Sequence, residues 1–330
     1  MKLLMTIVLI SVLAFLIVQQ SSAVDENAAT RYLLAIANME PEVVNAHQQF
    51  KDCKSPNDLD MLSGQAKEML MAPRNEAMLN ALKWGAKCKL CCYNPDDKDS
   101  PDQIPKEKLR GLYRFSMALA LNAEKNEKPD LALEILLAVF QLGQHQELQG
   151  SMLDGLIGMT IRSDALDLIE GVLNRNPGQA RHNMVKTFLK QLPTPAVNLK
   201  AMVKWEKRFL INGLKKAASN PAIWKEMCIY RPDAVSSESA KVLEVFDPEN
   251  DSAAREFIAS GEFDRCLSEV ASHMDSWITL DQQDPDFKKK NASLALLLKN
   301  NPLAILCVPN INKVYDQQGK LQEHINSMLR

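Results

Sequence analysis

The sequence predicts an all-α protein of stacked antiparallel helical hairpins, arranged as an irregular α-solenoid or a multi-helix bundle. The chain has 330 residues with only 12 glycines among many Leu, Ala, Met and Lys, and this composition favours helix over sheet. Apolar residues also recur at helical spacing along most of the chain. The stretch Pro129–Leu142 is apolar on every side apart from Asp130 and Glu134, so other elements must cover it all round.

The first 23 residues predict an export signal that is cleaved after Ala23. Lys2 gives a short positive start, an apolar run covers Leu3–Val18, and Ser21 and Ala23 place small residues where signal peptidase requires them. The run is shorter than the ~20 residues that span a bilayer, and an uncleaved anchor is the alternative. We therefore expect a mature chain that begins at Val24 and is periplasmic or secreted.

Prolines divide the start of the mature chain into short helices, because they interrupt the apolar spacing. We expect these helices over residues 25–39, then to about 50, and over 59–71 and 75–90. A loop rich in Pro and Asp follows at 94–106. Four closely spaced helices then form the centre, covering about 107–123, 129–142, 146–161 and 163–174. Three glycines, Gly150, Gly155 and Gly158, lie within the third, where glycine either admits a neighbouring helix or loosens its own.

Pro193 and Pro195 mark the predicted domain boundary, since two prolines in three residues cannot continue a helix. We therefore expect an N-terminal helical domain over 24–192. A C-terminal helical region over 196–330 is expected to pack on it. No side-chain signature repeats at a fixed period, so a tetratricopeptide-like solenoid has no support from motifs.

The helix predicted over Val197–Ala217 carries a surplus of positive charge. Glu206 is its one acidic residue. Attachment to anionic lipid or to an acidic partner is one interpretation, and a solvated face is the other, because the apolar side is also needed for a core. The candidate basic surface consists of Lys200, Lys204, Lys207, Arg208, Lys215 and Lys216.

Four cysteines are candidates for a disulfide or a thiol site: Cys53, Cys88, Cys91 and Cys92. Export permits disulfides, and in a helix Cys88 would lie over Cys91 and Cys92. A structural disulfide, with Cys53 as one partner, or simple burial is favoured. A redox dithiol lacks a βαβ setting, and zinc lacks a second ligand pair.

Catalytic and cofactor signatures are absent from the sequence, which holds no HExxH, GxSxG, P-loop or GxGxxG pattern. The segment His145-Gln146-Glu147 has the HxE order of zinc deaminases, but no PCxxC follows it. No catalytic residue, metal ligand set or cofactor is therefore predicted. The net charge of −2 gives no reason to expect nucleic acid as a partner.

Short segments occur in a set order along the mature chain. They are Asn27-Ala28-Ala29, Leu82-Lys83-Trp84-Gly85-Ala86, the dense helices from Leu109 to Leu142, Leu156-Ile157-Gly158-Met159 and Asn301-Pro302. This order resembles exported helical proteins of unknown function from planctomycete- and verrucomicrobia-type bacteria. Those proteins often have Cys-Asp-Trp where this chain has Cys91-Cys92-Tyr93-Asn94. The resemblance implies an exported all-α fold and transfers no activity.

The sequence thus favours an exported helical scaffold or interaction protein whose partner is another protein or an envelope component. Helical stacking, the export signal and the absence of catalytic motifs favour a protein that is not an enzyme. An exported hydrolase-type enzyme, with a site assembled from distant residues, is one alternative. A protein that associates weakly with a membrane surface is the other.

Overall fold

The computed structural model describes most of the chain as helix. Described are residues 27–92, 105–149, 151–193, 196–220, 251–279, 301–307 and 311–330, together with Ile223, Asp286, Lys289 and Ala292. Within them lie thirteen α-helices and one 3₁₀ helix, and these residues form no β-strand beyond one isolated bridge between Asn27 and Leu90. The predicted all-α class is therefore confirmed.

The helices of the first part of the chain follow one another with short connections, except for the 18 residues between Lys87 and Lys106. In order they are α1 (Ala28–Asn38), α2 (Pro41–Lys51), the 3₁₀ helix (Pro56–Met61), α3 (Gly64–Leu70), α4 (Asn75–Lys87), α5 (Lys106–Lys125), α6 (Pro129–Glu147), α7 (Met152–Arg175) and α8 (Gln179–Leu189). Those that follow are α9 (Leu199–Ala218), α10 (Asp251–Ala259), α11 (Glu262–Thr279), α12 (Pro302–Cys307) and α13 (Ile311–Leu329).

Side-chain caps fix where several helices begin. The side chain of Asn27 accepts a hydrogen bond from the Ala29 amide at the start of α1, and Asn198 does the same for Ala201 at the start of α9. Each bond satisfies one of the amides that the first turn leaves without a helical partner. Pro129 lies in the first turn of α6, where the missing amide hydrogen costs nothing.

The centre of the first part of the chain is the pair α5 and α6, as the apolar stretches predict. These two helices pack on each other, α2 packs on α5, α4 packs on α6, and α1 packs on α4. Phe115 and Leu121 of α5 are fully buried, as are Leu136 and Phe140 of α6. Coverage from several neighbours satisfies the requirement that an all-round apolar helix imposes.

Two predicted helix boundaries are wrong. The helices expected over 146–161 and 163–174 are replaced by the single 24-residue helix α7, because Ser163 and Asp164 continue the helix and do not cap a new one. The helix expected to reach Leu90 ends at Lys87, and Cys88 has an extended backbone. Cys88 therefore does not stack over Cys91 and Cys92 as a helix would place it.

The chain divides into two compact units. The first comprises Met1–Gln149, Asp154–Val197 and Gln318–Arg330, and the second Gly150–Leu153 and Asn198–Gln317. The division after Val197 falls near the prolines at 193 and 195. The C-terminal residues differ from the predicted division, because Gln318 donates to the Val197 carbonyl at 3.2 Å and Gln322 accepts from the Ala196 amide at 2.9 Å.

None of the described helices is long and apolar enough to cross a bilayer.

Candidate functional site

Helix α9 uses its apolar side for packing inside the second unit. That side is buried and consists of Leu199, Met202, Val203, Leu210, Leu214 and Ala217. The helix packs against α11, which buries Phe263, Val270 and Trp277 in turn. Because an amphipathic helix has only one apolar side, this packing leaves the charged side of α9 turned away from the core.

The charged side of α9, here named the basic face, is formed by the six residues that the sequence predicts: Lys200, Lys204, Lys207, Arg208, Lys215 and Lys216. All of them are exposed except Lys207, which is half-buried. Lys207 forms an ion pair of 2.6 Å with Asp275.

The remaining lysines of the basic face have no carboxylate within ion-pair distance among the described residues; they are Lys200, Lys204, Lys215 and Lys216. The one acidic residue of the helix, Glu206, accepts a hydrogen bond of 2.9 Å from the Met152 amide. The carboxylate keeps its negative charge in this bond, so α9 carries six positive residues against one negative residue.

Two aromatic rings border the basic face. Trp205 and Phe209 lie one turn apart on α9 and stack with centroids 5.0 Å apart and planes inclined by 11°. Phe209 keeps 42% of its surface exposed. Aromatic residues next to positive charge are typical of the residues that carry binding energy in protein interfaces.

The second candidate site is the thiol segment, defined as Cys88–Cys92. Three neighbours hold its backbone: the Ala28 amide donates to the Leu90 carbonyl at 2.8 Å, the Cys92 amide donates to Asn27 Oδ1 at 2.9 Å, and Gln149 Nε2 donates to the Cys91 carbonyl at 3.0 Å. Asn27 Nδ2 also donates to the Cys92 carbonyl at 2.5 Å. The segment is thus tied to both the start of α1 and the end of α6.

The five cysteines whose side chains are described form no disulfide; they are Cys53, Cys88, Cys91, Cys92 and Cys266. Cys53 and Cys88 are buried, whereas Cys91 and Cys92 are half-buried. The charged neighbours of the Cys53 thiol are Asp58, Asp52 and Lys54, and burial raises its pKa. No disulfide joins Cys53 to the thiol segment, and the side chains of Cys53 and Cys88 are buried thiols.

A buried tyrosine–histidine pair lies beneath the thiol segment. Tyr32 Oη is 2.7 Å from His145 Nδ1, and both side chains are almost fully buried. Burial lowers the pKa of His145 to about 4, opposed by a hydrogen bond to the Cys88 backbone. The imidazole is therefore neutral at pH 7, so one of its ring nitrogens donates a hydrogen bond and the other accepts one.

Next to this pair, α6 and α7 enclose an ion pair. Arg162 is fully buried, and its Nη1 donates to Glu147 Oε2 at 2.7 Å, to Glu147 Oε1 at 2.9 Å and to the Ala196 carbonyl at 3.1 Å. The guanidinium carbon also lies 4.6 Å from the Phe140 ring centroid. Burial raises the pKa of Glu147 to about 7, although the Arg162 charge opposes the shift.

The HxE segment is thus occupied by internal contacts. His145 pairs with Tyr32 and Glu147 pairs with Arg162, so neither side chain is directed at a shared ligand. In the part of the chain that the structure describes, no group of three or more His, Cys, Asp or Glu residues could hold a metal ion.

Sequence reasoning missed the Arg162–Glu147 pair. A charged residue inside the apolar stripe of α7 was the available signal, because an arginine is fully buried almost only when it is paired. The partner could not be read from spacing, since Glu147 belongs to the preceding helix.

No family model, curated protein or solved structure matches this chain. The resemblance to exported bacterial helical proteins stays a prediction.

Proposed function

We propose that the protein is an exported helical interaction protein that binds an acidic protein partner through the basic face of α9. The observation that carries this proposal is that the two sides of α9 lie in different environments. Its apolar side is buried in the second unit, while Lys200, Lys204, Arg208, Lys215 and Lys216 remain exposed.

Exposed positive charge supports a binding role for this face. Five exposed positive residues on one helix create a local positive potential on a chain whose net charge is −2. Such a field speeds the approach of an acidic partner and sets its orientation. The exposed Phe209, stacked on Trp205, adds an apolar contact beside the charges.

A protein is favoured over a bilayer as the partner. Amphipathic helices that bind membranes insert their apolar side among the lipids. In α9 that side is already buried, with Met202 and Leu214 each 2% exposed. Only the charges and the edge of Phe209 remain for lipid, whereas a protein can match both charge and shape.

The direct test uses a labelled peptide of fifteen glutamates as the acidic probe, titrated with mature protein while fluorescence anisotropy is recorded. The variant K200Q/K204Q/K215Q/K216Q removes four charges from the basic face. We expect it to weaken binding at low salt by at least about fourfold, since each of the four lost charge pairs contributes about 0.2–1 kcal/mol. Binding by the unaltered protein should also weaken as salt is added.

A matched control removes the same number of charges elsewhere. Lys51, Lys108, Lys128 and Lys190 are exposed residues of the first unit. The variant in which these four become glutamine should bind the probe within twofold of the unaltered protein. Equal losses in the two variants would show that only net charge matters, and the proposal would be wrong.

Two other functions are tested beside it. Flotation with vesicles containing 30% anionic lipid would support membrane association if the protein floats and the basic-face variant does not. An exported hydrolase-type enzyme would be supported by turnover of a broad substrate panel that an Asp, Glu or His substitution abolishes.

A further inference from the structure

We infer that Cys88 and Cys91 form a dithiol site that exchanges with small-molecule disulfides, and that its oxidation tightens the attachment of α1. The inference rests on the export included in the proposed function, because only an oxidising compartment supplies such disulfides. It does not depend on the basic face.

The backbone of the thiol segment is held before any disulfide forms. The chain bends at Lys89, and hydrogen bonds with Ala28, Asn27 and Gln149 fix the three residues that follow. A bend brings residues three apart closer than an extended chain does, as a disulfide requires. Little further ordering is then needed to close the pair.

The two sulfurs share a neighbour. Burial raises the pKa of Tyr32 well above its ordinary value, and the thiolate charges of Cys91 and Cys88 add to the shift. Tyr32 therefore interacts with the charge on both of these sulfurs. Cys92 makes no such contribution, and its backbone is the part bound by Asn27.

Their exposure assigns different roles to the two cysteines. Cys91 is half-buried, so an external disulfide can reach its sulfur, whereas Cys88 is only 3% exposed. The Cys91 thiolate attacks the small disulfide, and one small thiol leaves. The Cys88 sulfur then attacks the Cys91 sulfur of the mixed disulfide and expels the second thiol. The two protons and two electrons of the protein dithiol end on the two small thiols, so the small disulfide is the oxidant.

The consequence reaches α1 through two hydrogen bonds. The amides of Ala28 and Cys92 donate to Leu90 and Asn27 respectively. Closing the Cys88–Cys91 ring restricts the segment that makes these bonds. We expect both amides to exchange their hydrogens about tenfold more slowly in the oxidised protein.

The test incubates mature protein with oxidised glutathione, blocks the remaining thiols under denaturing conditions and maps the tryptic peptides. Trypsin cleaves after Lys87, Lys89 and Lys98. A bond from Cys88 therefore joins the dipeptide 88–89 to the peptide 90–98, whereas a bond between Cys91 and Cys92 stays inside 90–98. We expect the joined peptides.

Variants identify the partner of Cys88. In C92S only Cys91 can join the two peptides, so the link should persist there; it should also persist in the matched control C53S and vanish in C91S. A link that disappears in C92S, a bond inside peptide 90–98, a bond to Cys53, or no disulfide at all would each overturn the inference. Equal hydrogen exchange in the reduced and oxidised proteins would refute the coupling to α1.

Discussion

The crossing of α6 and α7 makes a sharp prediction about Gly158. A Cβ atom placed there would meet the Gly143 carbonyl oxygen too closely, Glu147 Cγ at 2.6 Å and the Glu147 amide nitrogen at 3.0 Å. The reciprocal contact is equally close, since a Cβ at Gly143 would lie 2.7 Å from the Gly158 carbonyl oxygen. Backbone atoms of two packed helices cannot yield as a flexible side chain can.

The expected cost of Gly158→Ala follows from these distances. To reach ordinary contacts of 3.4–4 Å, the helices must separate by roughly 1 Å, which also stretches the Arg162–Glu147 pair. Overpacking of this kind costs about 3 kcal/mol, and the better helix propensity of alanine returns about 1 kcal/mol. The net loss is therefore about 2 kcal/mol, equivalent to a thermal midpoint lowered by roughly 4–8 °C.

Thermal unfolding followed by circular dichroism measures this effect, with Gly319→Ala as the matched control. Gly319 lies on the exposed side of α13, and a Cβ there would meet no atom within 4 Å. The control should gain about 0.5–1 kcal/mol from helix propensity alone. If Gly158→Ala stabilises the protein as Gly319→Ala does, the close crossing of α6 and α7 is refuted.

Further predictions concern the two buried pairs beside this crossing. Arg162→Met leaves the Glu147 carboxyl buried without its cation and should cost about 3–5 kcal/mol in urea unfolding, whereas the double variant R162M/E147L should recover most of that loss; an equally unstable double variant would contradict the account. The pKa of His145 in the folded protein is about 4, below the ordinary 6.5. Its contribution to the free energy of unfolding is therefore fully present above pH 6.5 and is lost as the pH falls through 4. The loss approaches ~3 kcal/mol, and His145→Gln should reduce the fall in stability between pH 7 and pH 4 by that amount. The stability contribution of Glu147 has the opposite pH dependence, because its pKa is raised to about 7. The unaltered protein and His145→Gln are therefore compared with each other at each pH. An equal loss of stability on acidification in the two proteins would contradict the prediction.

The centre of the fold could be predicted from the sequence because its cause is local. Residues 131–139 are apolar on nearly every side of a helix, and this pattern fixes both the helix and its burial. The basic face of α9 follows from the same periodicity, which separates Lys200 and Lys204 from Met202 and Leu214. Both predictions needed only the 3.6-residue repeat.

Features that depend on distant residues could not be predicted in this way. Asn27 holds Cys92 across 65 residues, and Gln322 holds Ala196 across 126 residues, and neither pattern leaves a local signal. The break expected within α7 was wrong for a related reason. Asp164 can cap a helix as well as continue one, and packing around α7 decided for continuation.

The central claim is that the basic face of α9 binds an acidic protein. Co-purification from the producing host tests this claim most directly. Three forms of the mature protein are compared: the unaltered chain, the variant K200Q/K204Q/K215Q/K216Q, and the control with glutamine at 51, 108, 128 and 190. The account predicts that one acidic protein accompanies the unaltered and control forms in fixed proportion, dissociates as salt is raised, and is absent from the basic-face variant. Recovery of the same partner with all three forms would contradict it.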